Sequence, residues 1–199
     1  CRNENGRGKN ISINNRFIGT DQPPYIIAEA GINHEGDCQK AIELIEAAIS
    51  AGADCVKFQC HITSKEMIPT DIRPGDISDE PVWDITKRCE LTESEECELM
   101  EICESKGMTF LSSPFSREAA DRLESMNVPA YKIASPEIIH LPLIRKVAAT
   151  GKPIIISTGM ASVAEIDNAV GAAYEAGCSD IVLLKCTSTY PAIPGNSNI

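Results

Sequence analysis

Two lysines interrupt apolar runs where an unpaired ammonium would be costly. Lys57 lies in Cys55-Val56-Lys57-Phe58 and Lys132 in Tyr131-Lys132-Ile133. Each needs an anion. Ser112-Ser113, Ser135, Ser157 and the turn Thr158-Gly159 add hydroxyl and backbone donors. Lysines with several hydroxyls suit a phosphate, or a phosphate plus a carboxylate, better than a neutral sugar. Glu29 and Glu137 are the carboxylates of the set. Either they bind substrate hydroxyls or exchange protons, or they pair with the lysines as structural ion pairs. Glu137 follows Ser135-Pro136, in a turn suited to placing it. His34, His61 and His140 all fall in loops. A metal held between His34 and His61 is one reading of them, and exposed or hydrogen-bonded loop histidines are the other.

These residues are positioned by a repeated grammar. Short apolar runs over residues 25–30, 55–59, 108–111, 130–134, 153–157 and 181–186 alternate with amphipathic segments over 38–50, 92–106, 117–126, 141–150 and 162–176. Thr92 with Glu95 reads as a capping box. A long polar excursion through Pro69, Pro74, Gly75 and Pro81 separates the second strand from the next helix. Near-continuous apolar strands separated by helices call for a parallel sheet buried on both faces. Gly31-Ile32-Asn33-His34-Glu35-Gly36 does not supply the dinucleotide fingerprint of a doubly wound sheet. Glu29, Lys57, Ser113, Lys132 with Ser135, Ser157 and Thr187 fall at or near the C-terminal ends of their strands. In a barrel those ends meet at one mouth, where barrel enzymes keep their chemistry. The expected fold is therefore α/β, a (β/α)8 TIM barrel truncated after about its sixth strand. A short hairpin over residues 11–17 lies within a lead-in of residues 1–24, and the partial barrel occupies 25–199.

Composition narrows the function further. With 29 acidic and 18 basic residues the chain carries a net charge of −11, a poor match for nucleic acid or an anionic membrane. No run approaches the ~20 apolar residues of a spanning helix, so no membrane role is expected. Nine cysteines without a C-x-x-C pair read as small buried side chains in a reducing cytoplasm. The chain opens on Cys1 and stops at Ile199 in a Pro/Gly/Asn-rich stretch, and both ends are expected to be cuts.

Six segments, in order, resemble the N-acetylneuraminate (sialic acid) synthase family, which includes pseudaminate and legionaminate synthases. They are Ile27-Ala28-Glu29-Ala30-Gly31-Ile32-Asn33-His34-Glu35-Gly36, Val56-Lys57-Phe58-Gln59, Ser112-Ser113-Pro114-Phe115, Tyr131-Lys132-Ile133-Ala134-Ser135, Ile156-Ser157-Thr158-Gly159-Met160 and Lys185-Cys186-Thr187-Ser188-Thr189-Tyr190-Pro191. The resemblance implies a barrel enzyme that condenses phosphoenolpyruvate (PEP) with an N-acetylated sugar aldehyde, such as N-acetylmannosamine. It implies that Lys57, Ser113, Lys132, Ser135 and Ser157 hold the phosphate and carboxylate of PEP. Glu29 and Tyr190 would contact the sugar, with Thr187 and Ser188 beside them on the substrate. Glu137, with Lys132, would act at the reacting carbons as an acid/base or water-orienting group. A divalent metal, Mn2+ or Mg2+, would polarise the aldehyde. Its two histidine ligands are expected beyond Ile199, so no metal ligand is assigned within this chain. The antifreeze-like domain that completes the family's homodimer is expected there too, and the piece alone is expected to be inactive.

Ser188 departs from the Asn common at this position in bacterial sialic acid synthases. Residues 131–137 and 185–191 lean toward pseudaminate synthases, and Gly31-Ile32-Asn33-His34 with Gln59-Cys60-His61-Ile62 toward the neuraminate and legionaminate branch. The residues also admit a Schiff-base aldolase with Lys132 as nucleophile, and a non-catalytic, anion-binding barrel fragment.

Overall fold

A computed structural model describes residues 10–75, 78–189 and 192–196. By its internal contacts the chain divides into two units, Cys1–Pro129 and Ala130–Ile199.

In the first unit β1 (Ile11–Ile13) and β2 (Arg16–Ile18) pair antiparallel. Asn14 and Asn15 between them take φ of 48° and 65°, the left-handed pair that a two-residue hairpin turn needs and asparagine tolerates. β3 (Ile27–Gly31), β4 (Cys55–Cys60) and β5 (Thr109–Pro114) form a parallel sheet in that order. All of β5 and nearly all of β4 are buried, as a parallel sheet covered on both faces requires. Helix α1 (Cys38–Ser50) is capped by the Asp37 carboxylate, which accepts from the N–H groups of Gln39 and Lys40, and buries Ala41, Ile45 and Ala48.

The polar excursion is not structureless. It holds α2 (Thr63–Glu66), a single turn, and α3 (Val82–Arg88). Neither is long enough for a 3.6-residue period to show in the sequence. Helix α4 (Glu93–Ser105) begins with the Thr92–Glu95 capping box, and α5 (Arg117–Ser125) is capped by Ser116. Arg122 Nη1 donates to Glu96 Oε2 at 2.8 Å, tying α5 to α4. Burial holds the Glu96 carboxyl above its ordinary range, against the opposing pull of Arg122.

In the second unit β6 (Tyr131–Ile133), β7 (Ile154–Ser157) and β8 (Ile181–Leu184) form another parallel sheet in that order. Helix α6 (Leu141–Ala148) packs on α7 (Val163–Glu175). β6 and β7 are fully buried, whereas β8 leaves Leu183 48% exposed.

The eight described cysteines are free thiols. Burial pushes Cys103 up to about 12 and raises Cys55 and Cys60 as well, which keeps them as unreactive thiols. Among the described residues no helix is long and apolar enough to cross a membrane.

Candidate functional site

In the first unit, parallel register sets the site. Glu29 of β3 is partnered with Lys57 of β4, and Gln59 of β4 with Ser113 of β5. Register partners share a face, and so do residues two apart on a strand. Glu29, Lys57, Gln59 and Ser113 therefore line one side of the sheet at its C-terminal end. Lys57 is 6% exposed. Its Nζ lies 2.7 Å from Glu29 Oε2 and donates to Ser113 Oγ at 3.4 Å. Of the readings open for Glu29, the ion pair with a strand lysine is formed. The Glu29 carboxylate remains half exposed, able to meet a ligand as well.

Gly31 ends β3 at φ +56°, and an added Cβ there would stand 3.4 Å from Glu29 Oε1 and 3.7 Å from Gln59 Nε2. Only glycine combines that backbone with a bare surface beside both groups.

The second unit brings hydroxyls together. Lys132 is 5% exposed, and its Nζ donates to Ser157 Oγ at 2.6 Å and to the Ile133 carbonyl at 2.9 Å. Beyond β7, the Gly159 N–H donates to Ser135 Oγ at 3.2 Å. A Cβ on Gly159 would stand 2.5 Å from Ser188 Oγ, 3.0 Å from Cys186 Cβ and 3.1 Å from Ser135 Oγ. Ser135 and Ser188 thus crowd against a backbone that must be glycine. Thr187 Oγ1 accepts from Lys185 Nζ at 3.0 Å. Glu137 sits in a 3-10 turn, Ser135–Ile139, with Oε2 3.1 Å from His140 Nδ1. Tyr190 lies outside the described residues.

Each histidine makes at least one hydrogen bond to a neighbouring residue. His34 is fully buried, and its Nδ1 accepts from the Gly36 N–H at 3.0 Å. Burial pushes its imidazole down, with His61 adding to the effect. His61 has Nδ1 2.8 Å from Glu66 Oε1 and Nε2 2.9 Å from Gln59 Oε1. Among the described residues no group of three or more His, Cys, Asp or Glu could hold a metal ion. These residues do not fit the divalent ion that the resemblance implies.

Sequence reasoning passed over Gln59 and Gly31 as site residues, and read Gly159 only as a backbone donor in its turn. Gln59 could have been found by strand alternation, since it follows Lys57 by two in an apolar strand. The contacts of Gly159 with Ser135 and Ser188 are long-range and leave no local signal.

The model of the NeuB family matches residues 44–199. The chain belongs to that family. It is 39% identical over 184 residues to the pseudaminic acid synthase of Helicobacter pylori, covering 89% of this chain and 54% of that protein. It is 39% identical over 175 residues to the N,N'-diacetyllegionaminic acid synthase of Campylobacter jejuni, covering 84% of this chain and 52% of that one. Among solved structures, the N-acetylneuraminic acid synthetase of Leptospira borgpetersenii, in complex with citrate, superposes with a TM-score of 0.84 at 31% identity. That match covers 96% of this chain and 64% of the other. The chain spans about half the length of the curated relatives it matches.

Proposed function

We propose that this NeuB-family chain supplies the N-terminal part of a (β/α)8-barrel synthase that condenses PEP with an N-acetylated sugar aldehyde, giving a nonulosonic acid and phosphate. The observation that carries this reading is the repetition of one device. In each unit a buried strand lysine meets a serine hydroxyl at the C-terminal end of a parallel sheet: Lys57 with Ser113, and Lys132 with Ser157. Buried ammonium groups with hydroxyl and amide donors are what a small ligand bearing phosphate and carboxylate requires. Citrate, held by the Leptospira relative, is likewise a compact polyanion.

In this reaction C3 of PEP attacks the aldehyde carbon and its electrons become the new C–C bond. Water adds at C2, and phosphate departs with cleavage of the C–O bond. Lys57 and Lys132, with Ser113, Ser135 and Ser157, balance the ligand's negative charge. Glu29 and Tyr190 face the sugar, with Thr187 and Ser188 on the same substrate. Glu137 orients the water or moves its proton. Among the described residues no cluster fits the divalent metal that the resemblance implies. The acceptor belongs to the pseudaminate, legionaminate or neuraminate group.

A Schiff-base aldolase with Lys132 as nucleophile is the rival. The acceptors around Lys132 Nζ, Ser157 Oγ and the Ile133 carbonyl, stabilise an ammonium and favour an anion-binding role over nucleophilic attack. The full-length protein should release phosphate from PEP only when an N-acetylated aldose is present. An adduct on Lys132 after borohydride treatment with pyruvate, without such phosphate release, would overturn the reading.

A further inference from the structure

Glu137 and His140 meet because of the turn they share. A 3-10 helix sets residues three apart one above the other, and in the turn Ser135–Ile139 with its C-cap His140 they are such a pair. Glu137 Oε2 lies 3.1 Å from His140 Nδ1. The carboxylate is the less exposed partner, at 19% against 37% for the imidazole. One proton lies in that bond, and whichever group carries it, the other is held. Glu137 Oε1 meets no hydrogen-bond partner among the described residues.

The backbone on either side is braced. Pro136 and Pro142 stand in the first turns of the 3-10 helix and of α6, and each fixes its own φ. The Glu137 N–H donates to the Ala134 carbonyl at 3.0 Å, and the His140 N–H to the Glu137 carbonyl at 2.9 Å. The His140 carbonyl in turn accepts from the N–H groups of Leu143 and Ile144 at 3.0 and 3.1 Å, and both of those side chains are fully buried. At the other end of the turn, Ser135 Oγ accepts from the Gly159 N–H. His140 therefore starts from a fixed point, and its ring turns only about two torsions, which the bond to Glu137 restrains.

The ordinary role for a residue at this place is a helix cap. His140 is the N-cap residue of α6, yet its side chain makes no capping hydrogen bond. Its Nδ1 meets the carboxylate instead. A glutamate side chain has three torsions and, unheld, samples several positions. A group that must meet one water at one carbon gains from losing that freedom before substrate arrives.

We propose that His140 is a positioning residue that fixes the Glu137 carboxylate through Oε2 and leaves Oε1 as the oxygen that meets the attacking water. His140 touches no substrate in this scheme, which rests on the PEP-dependent reading above and on Glu137 acting at the water.

Steady-state kinetics and Tm on the full-length protein separate positioning from packing. His140→Leu keeps bulk but removes the ring nitrogen. It should lose roughly 10-fold in kcat while the KM values for PEP and sugar stay within about 2-fold, because a mobile carboxylate slows the chemical step and not binding. His140→Asn loses the ring but can place an amide donor near the position of Nδ1, and should recover kcat to within about 3-fold of wild type. A cap or a packing contact would move Tm and leave kcat alone, and that pattern would overturn the proposal. In the Glu137→Ala background, His140→Leu should cost nothing further, because the group it holds is gone. Losses that multiply in the double variant would also overturn it. If His140→Leu lowers Tm strongly, His140→Ser replaces it, since serine caps a helix well but its hydroxyl stands one bond closer to the backbone than Nδ1. It should lose kcat as leucine does, and wild-type kcat would overturn the proposal. Wild-type protein that releases no phosphate from PEP would bring down the functional reading and this proposal with it. Normal turnover in wild type and in His140→Leu alike would bring down this proposal alone.

Discussion

Lys57 and Lys132 are both buried within their strands, yet their described contacts differ. Lys57 in the first unit is already paired with a carboxylate, Glu29, 2.7 Å away. Lys132 in the second unit donates to the Ser157 hydroxyl and the Ile133 carbonyl, and in the same unit Ser135 and Ser188 close around Gly159. An anion that binds Lys57 must compete with Glu29, which is half exposed and can yield. An anion at the second cluster meets hydroxyls that can rotate their hydrogens toward it. The same residue type thus sits in two arrangements, an ion pair with a half-exposed carboxylate and a lysine beside serine hydroxyls, and under the proposed function a ligand would exchange the first and enter the second.

The largest effect should come from Glu137, two residues past Ser135 in the same 3-10 turn. Glu137→Gln keeps size and hydrogen bonding but removes basicity, so kcat should fall roughly 100-fold while PEP affinity holds within about 2-fold. Unchanged kcat with ten-fold poorer PEP affinity, by parallel kinetics and calorimetry, would make Glu137 an anchor. Next comes Gly159→Ala. Its methyl would have to displace Ser188 and Ser135 together, and should raise the KM for PEP about 10-fold with little change in kcat. A wild-type KM would show that the second cluster is not where PEP binds. Glu29→Gln removes the competitor of the first unit. PEP should bind no more weakly, while the KM for the sugar rises roughly 5-fold, and weaker PEP binding would contradict the exchange. The smallest effect concerns His34. Its folded-state pKa lies below the ordinary 6.5, chiefly through burial. As pH falls, the unfolded chain therefore takes the proton first. The stability this residue contributes is whole above about pH 6.5 and is lost as pH drops through the folded value. Tm measured from pH 7 to pH 5 should decline, and His34→Asn should flatten the decline.

Much of this arrangement was legible in the sequence because local rules govern it. The span of α1 and the Thr92–Glu95 capping box follow from short-range hydrogen bonding and apolar spacing. The strand lysines stood out because charge in an apolar run demands a partner. The pair Lys57–Glu29 was one of the partnerships open to them, and parallel register selected it. What sequence could not supply was set by tertiary folding. Glu66 reaches His61 only because a one-turn helix folds back, and a single turn has no period to read. His61 and His140 are the hydrogen-bonded loop histidines that one reading allowed, but their partners, Glu66 and Glu137, could not be picked out from sequence. β6 and β8 came out shorter than their apolar runs, with Ser135 drawn into a 3-10 turn and Lys185 left past the strand.

If both lysine clusters bind PEP, as proposed, direct affinity shows it without requiring turnover. Calorimetric titration of PEP into the full-length protein should be compared with Lys57→Met and Lys132→Met. A charged hydrogen bond in a desolvated site is worth ~1.5–3 kcal/mol, so each variant should bind PEP roughly 10–200-fold more weakly while still folding. Wild-type PEP affinity in both variants would contradict the account.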